Sequence, residues 1–164
     1  MHRNTGKEMP TRPLENSNCL NSMVHEPQAL ENFAIFCLQR DEQNARYINE
    51  KFYDMSNKKG LDIFVEYADI CLIQDWAAQN EDELLKAFAK SIQFYYNSRV
   101  QPHIQTGAKS RFIFLVIMPD HSNHQDFYSF LKNKINCEAP VISQFVANRT
   151  ITKYNDRIFM NIIR

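Results

Sequence analysis

Tyr128 and Lys132 stand four positions apart in HQDFYSFLKNK, so a helix there places them on one face, a turn apart. A phenol hydroxyl and an ammonium on one helix face are together suited to holding a phosphate. The N–H groups at the start of such a helix, with its dipole, favour the same negative charge. Gln144, in VISQFV, adds an amide donor. On spacing alone a plainer reading takes precedence, a surface Lys beside a half-buried Tyr.

Other residues point to less. His121 and His124 form an HxxH pair beside Asp126, but no further ligand stands at zinc-like spacing, so the segment reads as a hydrated loop. Its alternative use is a pH-dependent positive charge beside the phosphate residues. Arg149, Lys153 and Arg157 are candidates for contacts along an anionic backbone, against a solvated charged face. Trp76 reads as packed between loop and sheet rather than as a stacking platform. Cys19, Cys37, Cys71 and Cys137 contain no CxxC pair and no marked companion base, and read as reduced core thiols. Three glycines in the whole chain exclude a GxGxxG or P-loop cradle. With no nucleophile elbow or metal triad either, the expectation is a non-enzymatic protein without a cofactor.

The chain has 164 residues, 44% of them hydrophobic, enough for one folded domain with a tail. Its formal charge is zero, which conceals an asymmetry. Residues 1–100 carry 11 basic and 15 acidic side chains, and residues 101–164 carry 8 and 4, so an anion-binding surface is expected in the second part. No signal-like apolar run opens the chain and no apolar stretch is long enough to span a bilayer. The expectation is an intracellular protein, cytoplasmic, nuclear or both, with no membrane partner.

The elements that must position these residues follow from periodicity. Residues 1–29, with Pro10, Pro13 and Pro27, show no period and read as a linker or disordered tail. NFAIFCL reads as a buried strand. Ala45, Ile48, Phe52 and Met55 mark one face of a helix over residues 41–58, stopped by Gly60. LDIFVEY, residues 61–67, is the second strand candidate. Asn80 then caps a long helix with Leu84, Leu85, Phe88, Ile92, Tyr95 and Tyr96 as its stripe, ended by Pro102 and Gly107. RFIFLVIMP is the strongest strand, and its unbroken apolarity calls for cover on both faces. Phe127, Leu131 and Ile135 give the next helix its core face, VISQFV is a fourth strand, and a last amphipathic segment begins near Asp156. This order predicts an α/β fold: a Rossmann-like doubly wound, mostly parallel four-stranded sheet flanked by helices.

From Phe112 onward the sequence resembles the MID domain of the Argonaute family, in its Piwi branch. A hydrophobic strand ends in Pro119, YSFLK stands where that family has YxxIK, Cys137 follows, and PVISQFVANRT puts Pro140, Ser143, Gln144, Arg149 and Thr150 in register. Weaker similarity reaches back to NFAIFCL, so the resemblance covers residues 30–164. It implies a MID domain that anchors the 5′-monophosphate of a small guide RNA in RNA-mediated silencing. Tyr128, Lys132 and Gln144 would hold the phosphate, the first base would stack on Tyr128, and the loop 120–127 would face the base edge. The resemblance admits a divalent ion at the phosphate. It names small single-stranded guide RNA as partner, with a PIWI domain or a longer Piwi protein as a second. The family's further phosphate contacts fall beyond Arg164, which implies a truncated C-terminal helix, an incomplete pocket and weak binding. The slicer domain has no counterpart here. The competing expectation is a remnant that no longer binds RNA, or an interaction module that contacts a PIWI-like partner.

Overall fold

A computed structural model describes residues 32–59, 68–107 and 112–151, with side chains 55–59 and 77–78 excepted. Four strands, β1 (Asn32–Leu38), β2 (Asp69–Ile73), β3 (Phe112–Met118) and β4 (Ile142–Ala147), form one sheet in the order β2-β1-β3-β4. Every pairing is parallel, with Phe36 opposite Cys71, Ala34 opposite Phe114, and Leu115 opposite Gln144.

The two central strands explain the fold. Successive side chains of a strand point to opposite faces, and β1 is apolar at both sets of positions. Phe33, Ile35 and Cys37 join Leu115, Ile117 and Val146 against Ala45, Ile48 and Phe52 of helix α1 (Glu42–Lys59). Ala34, Phe36 and Leu38 join Phe114 and Val116 against helices α2 (Glu81–Tyr95) and α4 (His124–Glu138). Phe36 is wholly buried, with Phe114 and Tyr95 edge-on at 5.1 and 5.8 Å. Helices therefore cover both faces, as the unbroken apolarity required.

Local signals fix the helix boundaries. Asn80 Oδ1 accepts the Asp82 N–H at 2.8 Å and caps α2, whose Leu84, Phe88, Ile92 and Tyr95 are buried. Pro102 does not end the segment. A π-helical turn, Tyr96–Val100, follows α2, and Pro102 opens the short helix α3 (Gln101–Gln105), where its missing N–H costs little. Gly107 is the terminator: at φ +73° it donates its N–H to Ile104 O at 3.0 Å.

The second strand differs from expectation. DICLI supplies β2, while LDIFVEY lies outside the described residues, as do residues 1–31 and the amphipathic segment near Asp156. β2 is an edge strand of five residues among the described residues, with Leu72 exposed. Tyr95 Oη donates to Asp69 Oδ2 at 2.6 Å and ties the start of β2 to α2. Trp76 is also corrected: it sits on the 3₁₀ turn Asp75–Gln79 that leaves this edge and is 63% exposed.

Candidate phosphate-binding site

α4 returns from the end of β3 to the start of β4 and therefore runs against the strand direction. It buries Phe127, Leu131 and Ile135 completely, which turns Tyr128 and Lys132 toward the exposed margin beside β4. Helix residues four apart are separated by about 6 Å along the axis, and strand residues two apart by about 6.6 Å. Two helix side chains can therefore meet two alternate strand side chains in reverse order. Lys132 Nζ donates to Ser143 Oγ at 2.7 Å and to Ser143 O at 3.0 Å. The Tyr128 ring meets the Phe145 ring edge-on at 4.9 Å.

These pairs bound a surface concavity of about 570 Å³, lined by Met118, His124, Gln125, Tyr128, Lys132, Ser143, Gln144 and Phe145. Among the described residues none that lines it is acidic, and Lys132 enters no ion pair. An ammonium has three N–H donors, of which two are directed at Ser143, leaving one for a ligand. Tyr128 is 44% exposed, so its ring is held on one side and open on the other. The concavity thus offers a fixed positive charge and an accessible aromatic surface, a combination suited to a small phosphorylated aromatic ligand.

Tyr128, Lys132 and Gln144, singled out from sequence, all line this one concavity. Ser143 and Phe145 were missed as contributors. Strand alternation aims these two at α4 and makes them, rather than Gln144, the direct partners of Lys132 and Tyr128. The helix start is less open than its dipole implied. Asn123 Oδ1 accepts the N–H groups of Gln125 and Asp126 at 3.2 and 3.5 Å, so anion contacts fall mainly to side chains. The loop after β3 is also shorter than the expected 120–127, because the helix starts at His124 and Phe127 is core.

The two histidines separate. His124 lines the concavity with Nε2 2.9 Å from Pro119 O; a carbonyl only accepts, so Nε2 carries the proton. His121 does not line the concavity; its ring accepts from an Arg40 guanidinium nitrogen 2.8 Å from Nδ1. Arg149 is exposed on the short helix α5 (Asn148–Ile151), where its N–H donates to Asp120 Oδ1 at 2.8 Å; it does not line the concavity. Lys153 and Arg157 lie outside the described residues. The buried Cys37 is a core thiol, and burial pushes it up to about 12, far from a thiolate at neutral pH. Cys137 is exposed, contrary to the core expectation, because α4 turns it away from its buried stripe.

The fold defines a Rossmann-like α/β unit with an all-parallel sheet. Among solved structures, the crystal structure of Drosophila Piwi is similar to it, with a TM-score of 0.54 and 18% sequence identity. The match covers 82% of this chain and 16% of that one, so the chain spans a small part of the length of the protein it resembles. What the two share is the fold of the matched part. No family model matches the sequence, and no curated protein matches it.

Proposed function

We propose that this chain is a Piwi-type MID module that binds the 5′-monophosphate end of a small single-stranded RNA, without turnover. The observation that carries the reading is the convergence of Tyr128, Lys132 and Gln144 on one concavity that no acidic side chain lines among the described residues. Lys132 would bind the phosphate with its remaining donor. Tyr128, braced by Phe145, would stack on the first base, and Gln144 would contribute from the edge strand. Likeness of fold to Drosophila Piwi supports the same reading. Its biological setting would be RNA-mediated silencing, with a longer Piwi protein or a PIWI domain as the second partner.

The test is substitution at the anchor. Removing a charge-assisted contact costs about 1.5–3 kcal/mol, or roughly ten- to a hundredfold in affinity. Lys132→Ala should lower affinity for 5′-phosphorylated RNA by that factor and leave the weaker binding of 5′-hydroxyl RNA unchanged. Equal losses for both RNAs, with circular dichroism unchanged, would remove Lys132 as the anchor. A second reading, a protein-interaction module, draws on the edge position of β4, where Ile142 is 59% exposed. It predicts no binding of either RNA by the wild-type chain.

A further inference from the structure

His124, Tyr128 and Lys132 follow one another at four-residue spacing on α4, and all three line the concavity beside β4. At a rise of 1.5 Å per residue they span about 12 Å along the helix axis. One phosphate group, bound through hydrogen bonds of about 3 Å, does not reach both Lys132 and His124 across that span. A ligand whose base lies on Tyr128 therefore has the lysine at one end and the histidine at the other.

His124 differs from the other lining side chains in that one proton changes what it can bond. Nε2 donates to Pro119 O at 2.9 Å, and the remaining ring nitrogen, Nδ1, has no partner among the described residues. In the neutral ring Nδ1 carries a lone pair and repels phosphate oxygens; with a second proton it donates, and the ring becomes a cation. The bond to Pro119 O is compatible with both states. Carboxylates around the helix start are engaged elsewhere. Glu81 of α2 accepts the Asn123 N–H at 3.1 Å, and Asp126 of α4 accepts from Asn123 Nδ2 at 2.6 Å. Asp120, after β3, accepts the Arg149 N–H and lies 3.3 Å from Asn148 Nδ2, which also reaches Asp41 Oδ1 at 3.1 Å. Asp41 is buried, its Oδ2 without a partner, and neither aspartate lines the concavity. From β3 and β4 come Met118, Ser143, Gln144 and Phe145, none of them charged. Among the described residues, Lys132 is thus the one charged side chain of the concavity until His124 takes up a proton.

We infer that His124 is a proton-controlled cation of this site and that, once protonated, it pairs through Nδ1 with the phosphodiester that follows the first nucleotide. This role rests on the reading of the concavity as a 5′-phosphate site and makes that site pH-dependent. Histidine changes charge between about pH 8 and pH 5, where a phosphodiester stays anionic. A terminal phosphate monoester takes up a proton near pH ~6 and so loses part of its attraction to Lys132. Acidification should therefore favour a ligand with a second phosphate over one without.

Nuclear magnetic resonance titrations of the full chain, at the two ends of that pH range, compare a nucleoside 5′-monophosphate with the 5′-phosphorylated dinucleotide. On acidification the wild type should gain roughly tenfold in affinity for the dinucleotide relative to the mononucleotide, the effect of one charge-assisted hydrogen bond. His124→Gln, whose amide can still donate to Pro119 O but takes no charge, should show no such gain. The dinucleotide should also raise the pH midpoint of the His124 Cε1–H signal, because a ligand that prefers the protonated ring must in turn favour its protonation. An equal gain in His124→Gln, or a midpoint that the dinucleotide leaves unmoved, would overturn the role of His124 and leave the phosphate reading standing. If neither phosphorylated ligand binds better than its 5′-hydroxyl counterpart at either pH, the phosphate reading fails and the role of His124 with it.

Discussion

Lys132 and Asp41 are the two residues on which local chemistry turns, and both are defined by what their neighbours leave unfilled. Ser143, 5% exposed, holds Lys132 through its hydroxyl and its carbonyl. Ser143→Ala should cost about 0.5–1.5 kcal/mol of stability, the net worth of one hydrogen bond, read by urea denaturation. It should also weaken the preference for a phosphorylated RNA end, since the ammonium loses one of its two fixed positions. Burial raises the Asp41 carboxyl above its ordinary 3.8; Arg40 opposes the rise, and Asp120 and Asp75 add to it. The folded protein thus binds that proton more readily than the unfolded chain. The group's contribution to stability is most favourable below pH 3.8 and is lost as pH rises through the folded value. Asp41→Asn should therefore melt higher than wild type at pH 7, and the gap should close toward pH 3.8. A gap that stays constant across that range would contradict this account of Asp41.

At the scale of elements, sequence was informative wherever a single element carries its own signal. The stripe Phe127, Leu131 and Ile135 located the buried face of α4 and, by subtraction, the exposed face with Tyr128 and Lys132. Caps were equally legible. Asn80→Ala should cost about 0.5–2 kcal/mol through loss of the Asp82 N–H bond. Gly107→Ala should cost about 1 kcal/mol from its positive φ alone, since an added Cβ meets nothing within 4 Å; calorimetry checks both. What sequence left hidden depends on contacts between elements. β2 is tied to α2 by the Tyr95–Asp69 bond across 26 positions, a contact that no local pattern in DICLI contains. Pairing of Ser143 and Phe145 with Lys132 and Tyr128 likewise needs the distance between α4 and β4, which no periodicity contains. The Asp41, Asp120 and Asn148 cluster spans 107 positions and lacks a local motif.

The described residues form one sheet with a core on each face, and Phe36 sits at the centre of the larger one. Phe36→Ala, which would empty the space between Phe114 and Tyr95, should cost about 3–5 kcal/mol, a large part of a typical domain's stability. The same fold places two polar recesses where helices and loops meet the sheet. One lies along α4 and β4, with a lysine and an open aromatic ring, and the other at the β1–β3 boundary, with two carboxylates. Among the described residues, no helix is long and apolar enough to cross a membrane. The most direct measurement compares the affinity of the wild-type chain for one single-stranded RNA bearing a 5′-monophosphate or a 5′-hydroxyl, by fluorescence anisotropy at fixed low salt. Binding through the Tyr128 and Lys132 concavity predicts tighter association with the phosphorylated end by roughly tenfold or more. Equal affinities for the two ends would contradict it.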